Sequence, residues 1–189
     1  FVIMGGMHIS SLPGTTTPDM DVAVIGEGEQ TICELGKFFL SGSKITHEHL
    51  QSIEGVAYLA GKDLFTTPPR PLIDPIDQIP RPARDLLNIR VQSSLFSSRG
   101  CPYRCTFCSS RLMFSRKVRR RSVASVLAEI RRLHNDYGVD SVYFFDDTFN
   151  APRRWAVEFC EALLKEPYRL TWGCQVRVNL FDLELGRLM

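Results

Sequence analysis

Apolar and polar positions fall into two blocks of alternating strand and helix pattern, separated by a proline-rich stretch. Phe1-Val2-Ile3-Met4 is a short apolar run closed by Gly5-Gly6, which predicts a buried strand ending in a tight turn. Val22-Ala23-Val24-Ile25 followed by Gly26-Glu27-Gly28-Glu29 repeats that design, with a Pro/Gly/Thr-rich loop over residues 11–19 between the two. Ile32, Leu35, Phe38 and Phe39 then recur at helical spacing. Strand, glycine turn and helix is the order of a parallel α/β sheet, whose ligands sit at the carboxyl ends of the strands. Residues 56–67 predict a β-hairpin turning at Gly61-Lys62-Asp63. Prolines at 68, 69, 71, 75, 80 and 82 exclude helix and central strand, and predict an extended linker.

The second block opens with Leu95-Phe96-Ser97-Ser98, read as a short strand. Ser122 is placed to cap a helix whose apolar face is Val123, Val126, Leu127, Ile130 and Leu133, ending near Gly138. Residues 141–145 form a strand rich in β-formers that ends at Asp146-Asp147. Asn150 is expected to cap the next helix, with Trp155, Phe159, Ala162 and Leu163 on its apolar face and Pro167 as its stop. Residues 170–178 predict a third strand, and Asp182 a cap for a last helix. The order βαβαβα implies parallel strands with right-handed crossovers. Trp155, Trp172 and Cys160 are read as core contacts.

Length and composition narrow the class. The chain has 189 residues, 44% apolar and 23% charged, enough to bury a core and enough for one domain or parts of two. No apolar stretch approaches the ~18 residues of a membrane-spanning helix. A net charge of +2 points to neither nucleic acid nor a membrane surface. The charge is uneven, however: residues 99–132 carry ten basic side chains and one acid, Glu129. Such a run can bind RNA phosphates. No aromatic platform is interleaved along residues 116–121, which favours a solvated face with counter-charges for an anionic site. Because the chain opens inside an apolar run and stops in a young helix, it is expected to be a fragment, poorly stable and inactive alone.

Of six cysteines, Cys101, Cys105 and Cys108 crowd into eight residues, while Cys33, Cys160 and Cys174 lie in helix or strand patterns. That distribution argues against a disulfide framework and for a metal or cluster site in a reducing cytoplasm. Three closely spaced thiolates on a loop can hold one cubane iron–sulfur cluster and leave one iron open to a small chelating molecule. Structural zinc wants four ligands. The fourth would have to be Cys33, Cys160, Cys174 or a histidine, the nearest being His134 inside a predicted helix.

Cys101-Pro102-Tyr103-Arg104-Cys105-Thr106-Phe107-Cys108, with an aromatic just before the last cysteine, resembles the radical S-adenosylmethionine (SAM) superfamily. The resemblance implies a 4Fe-4S cluster on Cys101, Cys105 and Cys108. SAM would be chelated by the open iron and reductively cleaved to methionine and a 5′-deoxyadenosyl radical. Gly5-Gly6-Met7-His8, Gly26-Glu27-Gly28-Glu29, the hairpin, Pro80-Arg81-Pro82-Ala83-Arg84-Asp85 and Ser98-Arg99-Gly100-Cys101-Pro102 follow in one order. That order is similar to the cobalamin-binding radical SAM proteins, although the Asp-x-His-x-x-Gly stretch of the corrinoid domain is not in this chain.

The fold so implied is α/β: the C-terminal end of a Rossmann-like cobalamin-binding domain (residues 1–54), a hairpin and proline-rich linker (55–92), and the first half of a partial (β/α)6 radical SAM barrel (93–189). The function so implied is a radical SAM enzyme, with cobalamin carrying a methyl group to an unactivated carbon of a small-molecule or natural-product substrate. Electrons would come from a flavodoxin or ferredoxin. Phe107, one of Asp146 and Asp147, and Arg177 are implied SAM contacts, the acid at the amino group and the arginine at the carboxylate. Gly5, Gly6, Glu27 and Gly28 are implied cobalamin contacts, while His8 has a surface or capping role. Cys174 either faces the barrel lumen or is a buried inert thiol. The alternatives are an RNA-modifying radical SAM enzyme of methylthiotransferase type without cobalamin, and a non-enzymatic zinc- or cluster-bearing interaction domain.

Overall fold

A computed structural model describes residues 1–87 and 92–189. Residues 88–91, the end of the expected linker, lie outside the described residues. The chain divides into two compact units, Phe1–Ile73 with Pro102–Arg116, and Asp74–Cys101 with Lys117–Met189.

The first unit is built on a four-stranded sheet of β1 (Ile3–Met4), β2 (Val22–Val24), β3 (Val56–Ala60) and β4 (Asp63–Thr66), in that order. β1 and β2 are parallel, as the glycine-turn pattern implies; the hairpin then adds to β2 antiparallel, with Ala23 opposite Ala57. The apolar opening of the hairpin explains that pairing, since Val56, Ala57 and Tyr58 are all buried. Helices α2 (Glu29–Leu40) and α3 (His47–Gln51) contribute Leu35 and Leu50 to a core with Val22, Val24, Ile53 and Val56. A short helix that the sequence pattern does not announce, α1 (Met7–Ser11), buries Ile9 with Ala23 and Ala57. Another, α4 (Ser110–Phe114), packs on α1. Gly55 joins the hairpin to β2. Its φ is +74°, its carbonyl accepts the Ile25 N–H at 2.8 Å, and a Cβ there would stand 3.2 Å from the Ile25 carbonyl, so only glycine fits without strain.

The second unit holds a parallel sheet. Its strands are β5 (Gln92–Leu95), β8 (Ser141–Phe144) and β9 (Thr171–Cys174), in the order β5-β8-β9, all parallel. A separate antiparallel ribbon pairs β6 (Ser98–Arg99) with β7 (Arg119–Arg120). Helices α5 (Val123–Tyr137), α6 (Arg153–Leu163) and α7 (Leu183–Leu188) supply the rest of the core. β8 alternates as a half-covered strand should: Val142 and Phe144 are buried with the helices, while Ser141 and Tyr143 are half-buried. Phe144, Phe149, Trp155, Phe159 and Trp172 form an aromatic nucleus with ring centroids 5.0–5.8 Å apart. Ser122 and Asp182 cap α5 and α7 as expected, accepting the N–H of Ser125 and Leu185, and Gly138 closes α5 in the left-handed conformation.

Three expectations shift. The first strand ends at Leu95, because the Ser97 and Ser98 amides go to the Asp146 carboxylate instead of a sheet ladder. The third strand stops at Cys174. Asn150 does not cap α6, which begins after Pro152 with no side-chain cap. The Asn150 amide instead ties backbone to backbone, donating to the Arg177 carbonyl and accepting the Arg177 N–H, both at 3.1 Å. Among the described residues, no helix is long and apolar enough to cross a membrane.

Candidate active site

Gly100, at φ +90°, turns the chain out of β6 and delivers Cys101. Cys101 is half-buried, and its Sγ lies 3.4 Å from Thr148 Oγ1, just past the end of β8. In the first unit, Cys105 is half-buried and Cys108 exposed, and the Cys108 N–H donates to the Cys105 carbonyl at 3.2 Å to close a tight turn. Phe107 between them is 92% exposed.

All six cysteines are thiols, none in a disulfide. Among the described residues, no group of three or more His, Cys, Asp or Glu side chains is gathered so as to hold a single metal ion. Cys160 is buried in the aromatic core and Cys174 packs against it. Burial pushes the Cys160 thiol up to about 11 and the Cys174 thiol up to about 12. Both remain protonated at neutral pH, whereas the thiolate is the form that binds metal. Cys174 is half-buried, packed against the same core as Cys160.

Asp146 and Asp147, adjacent in sequence, part company in the fold. Asp146 is 1% exposed. Its carboxylate accepts the backbone N–H groups of Ser97 at 2.7 Å and Ser98 at 3.2 Å, both serine hydroxyls, and Arg120 Nη1 at 3.3 Å. Asp147 is exposed. Arg120 is the hub of this corner. It donates to the carbonyls of Thr148, Phe149 and Ala151, and its guanidinium lies 4.4 Å over the Trp155 ring. Burial draws Arg120 down to about 10, against the raising effect of Asp146. The charge run conceals this role, since nothing in Arg119-Arg120-Arg121 marks which arginine turns inward.

Other members of the run are also engaged. Glu129, the lone acid, is buried and paired with Arg121 at 2.6 Å and Arg84 at 2.9 Å. Arg119 is 3% exposed. These side chains are internal structure, whereas Arg116 and Lys117 are exposed. Arg177 is half-buried, its Nε donating to Asn179 Oδ1 at 3.0 Å.

In the first unit, Gly6 takes φ +96° at the start of α1, Gly5 sits in ordinary contact range of Val24, and a Cβ on Gly28 would meet Val24 Cγ1 at 3.2 Å. Glu27 is buried, its Oε2 accepting the Ile73 N–H at 2.8 Å, which ties the start of the proline-rich stretch to the glycine turn. His8 is exposed, its Nε2 hydrogen-bonded to Thr15 Oγ1 at 3.2 Å, a surface role.

Comparison with known proteins follows from this geometry. The sequence model of the Radical SAM superfamily matches residues 95–186. An uncharacterized methyltransferase of Pyrococcus horikoshii is 35% identical over 100% of this chain and 42% of its own length. The anaerobic magnesium-protoporphyrin IX monomethyl ester cyclase of Cereibacter sphaeroides is 30% identical over 94% of this chain and 31% of its own. Among solved structures, the radical SAM methyltransferase TsrM of Kitasatospora setae, with cobalamin and a [4Fe-4S] cluster bound, superposes with a TM-score of 0.73 at 21% identity, covering 99% of this chain and 39% of that one. The chain thus spans 31–42% of the length of these proteins, and the last likeness is one of fold.

Proposed function

From the match of residues 95–186 to the Radical SAM superfamily, we propose that the protein acts as a cobalamin-dependent radical SAM enzyme, a methyltransferase in its simplest form. The observation that carries the reading is the placement of the cysteines: Cys101, Cys105 and Cys108 fall within eight residues and are half-buried or exposed, whereas Cys160 is buried in the aromatic core and Cys174 packs against it. Cys101, Cys105 and Cys108 would hold a 4Fe-4S cluster. When bound, that cluster supplies the electron that breaks a sulfonium C–S bond of SAM.

The chain's own residues then have distinct tasks. Cys101 is fixed by the Gly100 turn and by Thr148. Asp146 organises the strand end, since serines and an arginine saturate its carboxylate. Asp147, exposed at the same strand end, would meet the SAM ammonium. Arg177 would meet the SAM carboxylate, and Phe107 would shield the sulfonium. Gly5, Gly6 and Gly28 would admit the cobalamin nucleotide tail close to backbone, with Glu27 holding the turn beside it. The domain plan of 1–54, 55–92 and 93–189, the cytoplasmic setting, the small-molecule substrate and the flavodoxin or ferredoxin donor belong to the same proposal. The relatives' similarity across the whole chain and the corrinoid in TsrM support the cobalamin part.

Anaerobic reconstitution tests this reading. The full-length protein is expected to take up iron and sulfide, to bind hydroxocobalamin, and to release methionine from SAM under reduction. Absence of iron uptake sinks the whole proposal; iron uptake without corrinoid binding sinks only the cobalamin part. Asp147→Asn is expected to weaken SAM binding by about tenfold, the loss of one charge-assisted contact. Equal SAM affinity of wild type and variant, by calorimetry, would return the ammonium to another partner.

A further inference from the structure

Thr148 is 4% exposed, and its Oγ1 has two neighbours, the Asp147 carbonyl at 2.7 Å and Cys101 Sγ at 3.4 Å. A hydroxyl has one proton to give and two lone pairs to accept with. While Cys101 is a thiol, either atom can donate across the 3.4 Å contact; with the Oγ1 proton given to the Asp147 carbonyl, the S–H donates to Oγ1. A sulfur bound to iron has no proton and can only accept. The hydroxyl then has to swing its proton from the carbonyl to Sγ, or leave a buried oxygen lone pair facing an anionic sulfur, which is costly.

The backbone beneath Thr148 is held in place. Arg120 donates to the Thr148 carbonyl at 3.0 Å and to the carbonyls of Phe149 and Ala151, and Arg120 is itself fixed by Asp146 and the Trp155 ring. The hydroxyl is therefore presented to Cys101 by a rigid corner of the fold, not by a mobile loop.

We infer that Thr148 is a positioning residue for the cluster, donating a hydrogen bond to the Cys101 thiolate and thereby raising the potential at which the cluster is reduced. The inference rests on the cluster assignment of the proposed function. Reduction brings one electron from a flavodoxin- or ferredoxin-class donor and adds one negative charge to the iron–sulfur core and its thiolates. A proton-bearing donor at Sγ stabilises that extra charge more than it stabilises the oxidised form.

The test is a redox titration, followed by electron paramagnetic resonance, of the anaerobically reconstituted protein as wild type, Thr148→Val and Thr148→Ser. Valine keeps the shape and removes the hydroxyl; serine keeps the hydroxyl. At a fixed ambient potential, Thr148→Val is expected to hold roughly tenfold less reduced cluster, a midpoint lower by about 59 mV for one electron. Thr148→Ser should stay near wild type, with iron and sulfide content equal in all three. Should valine be rejected by the fold, Thr148→Ala provides the same comparison. In D2O, an exchangeable deuteron coupled to the reduced cluster is expected in wild type and Thr148→Ser and not in Thr148→Val. A fully loaded Thr148→Val with the wild-type midpoint overturns the inference while leaving the cluster assignment intact, as does a serine variant that behaves like valine. A wild-type protein that loads no cluster overturns both.

Discussion

Arg120→Met is expected to lower the free energy of unfolding by about 3–5 kcal/mol, the cost of stranding one member of a buried ion pair. The Arg120 side chain is 7% exposed and the Asp146 side chain 0%. Methionine restores most of the aliphatic stem over Trp155, so lost packing is minor and the loss is polar. Asp146 keeps its serine donors but loses its only cation among the contacts described, and the carbonyls of Thr148, Phe149 and Ala151 lose the donor they share. The measurement is urea unfolding at neutral pH. Combining Arg120→Met with Asp146→Asn is expected to recover part of the stability, because the uncompensated charge is then gone. A single variant within 1 kcal/mol or so of wild type would show that water reaches this corner.

Serine at Cys101, Cys105 or Cys108 is expected to reduce iron uptake to near zero, whereas serine at Cys160 or Cys174 leaves it near wild type. Each thiolate lost from a three-ligand set leaves two, and a hydroxyl does not deprotonate to replace it. Cys160→Ser carries a different penalty. It places a hydroxyl in a site 2% exposed among aromatic and aliphatic side chains, at a cost of about 1–3 kcal/mol if no partner is found. Iron and sulfide analysis beside thermal unfolding separates the two classes: the loop variants lose iron and keep stability, the core variant the reverse. Iron loss on replacing Cys160 or Cys174 would mean that the ligand set was misassigned.

Periodicity carries far where burial is one-sided. The five apolar positions of α5, the caps Ser122 and Asp182, the stop at Gly138 and the β-former run of β8 were all readable, because each is a local pattern within one element. The cysteine triplet was readable for a related reason, since its ligands are neighbours in the chain. The ribbon of β6 with β7 was not, because its two strands are two residues each and some twenty apart. The cap assigned to Asn150 failed because a buried amide found a tertiary partner at Arg177 that local pattern does not reveal.

By itself the sequence determined the α/β class, the parallel order of the second sheet, the loop that carries three thiols and the family that loop resembles. Tertiary structure alone decided which of two adjacent aspartates is buried, which arginine of a triplet turns inward, that Cys160 lies in the aromatic core with Cys174 packed against it, and that Thr148 stands against Cys101. The physical reason is range. Amphipathic pattern and ligand spacing act within a turn or two of chain, while desolvation and charge pairing depend on groups 23 to 49 residues away that only the packed fold brings together.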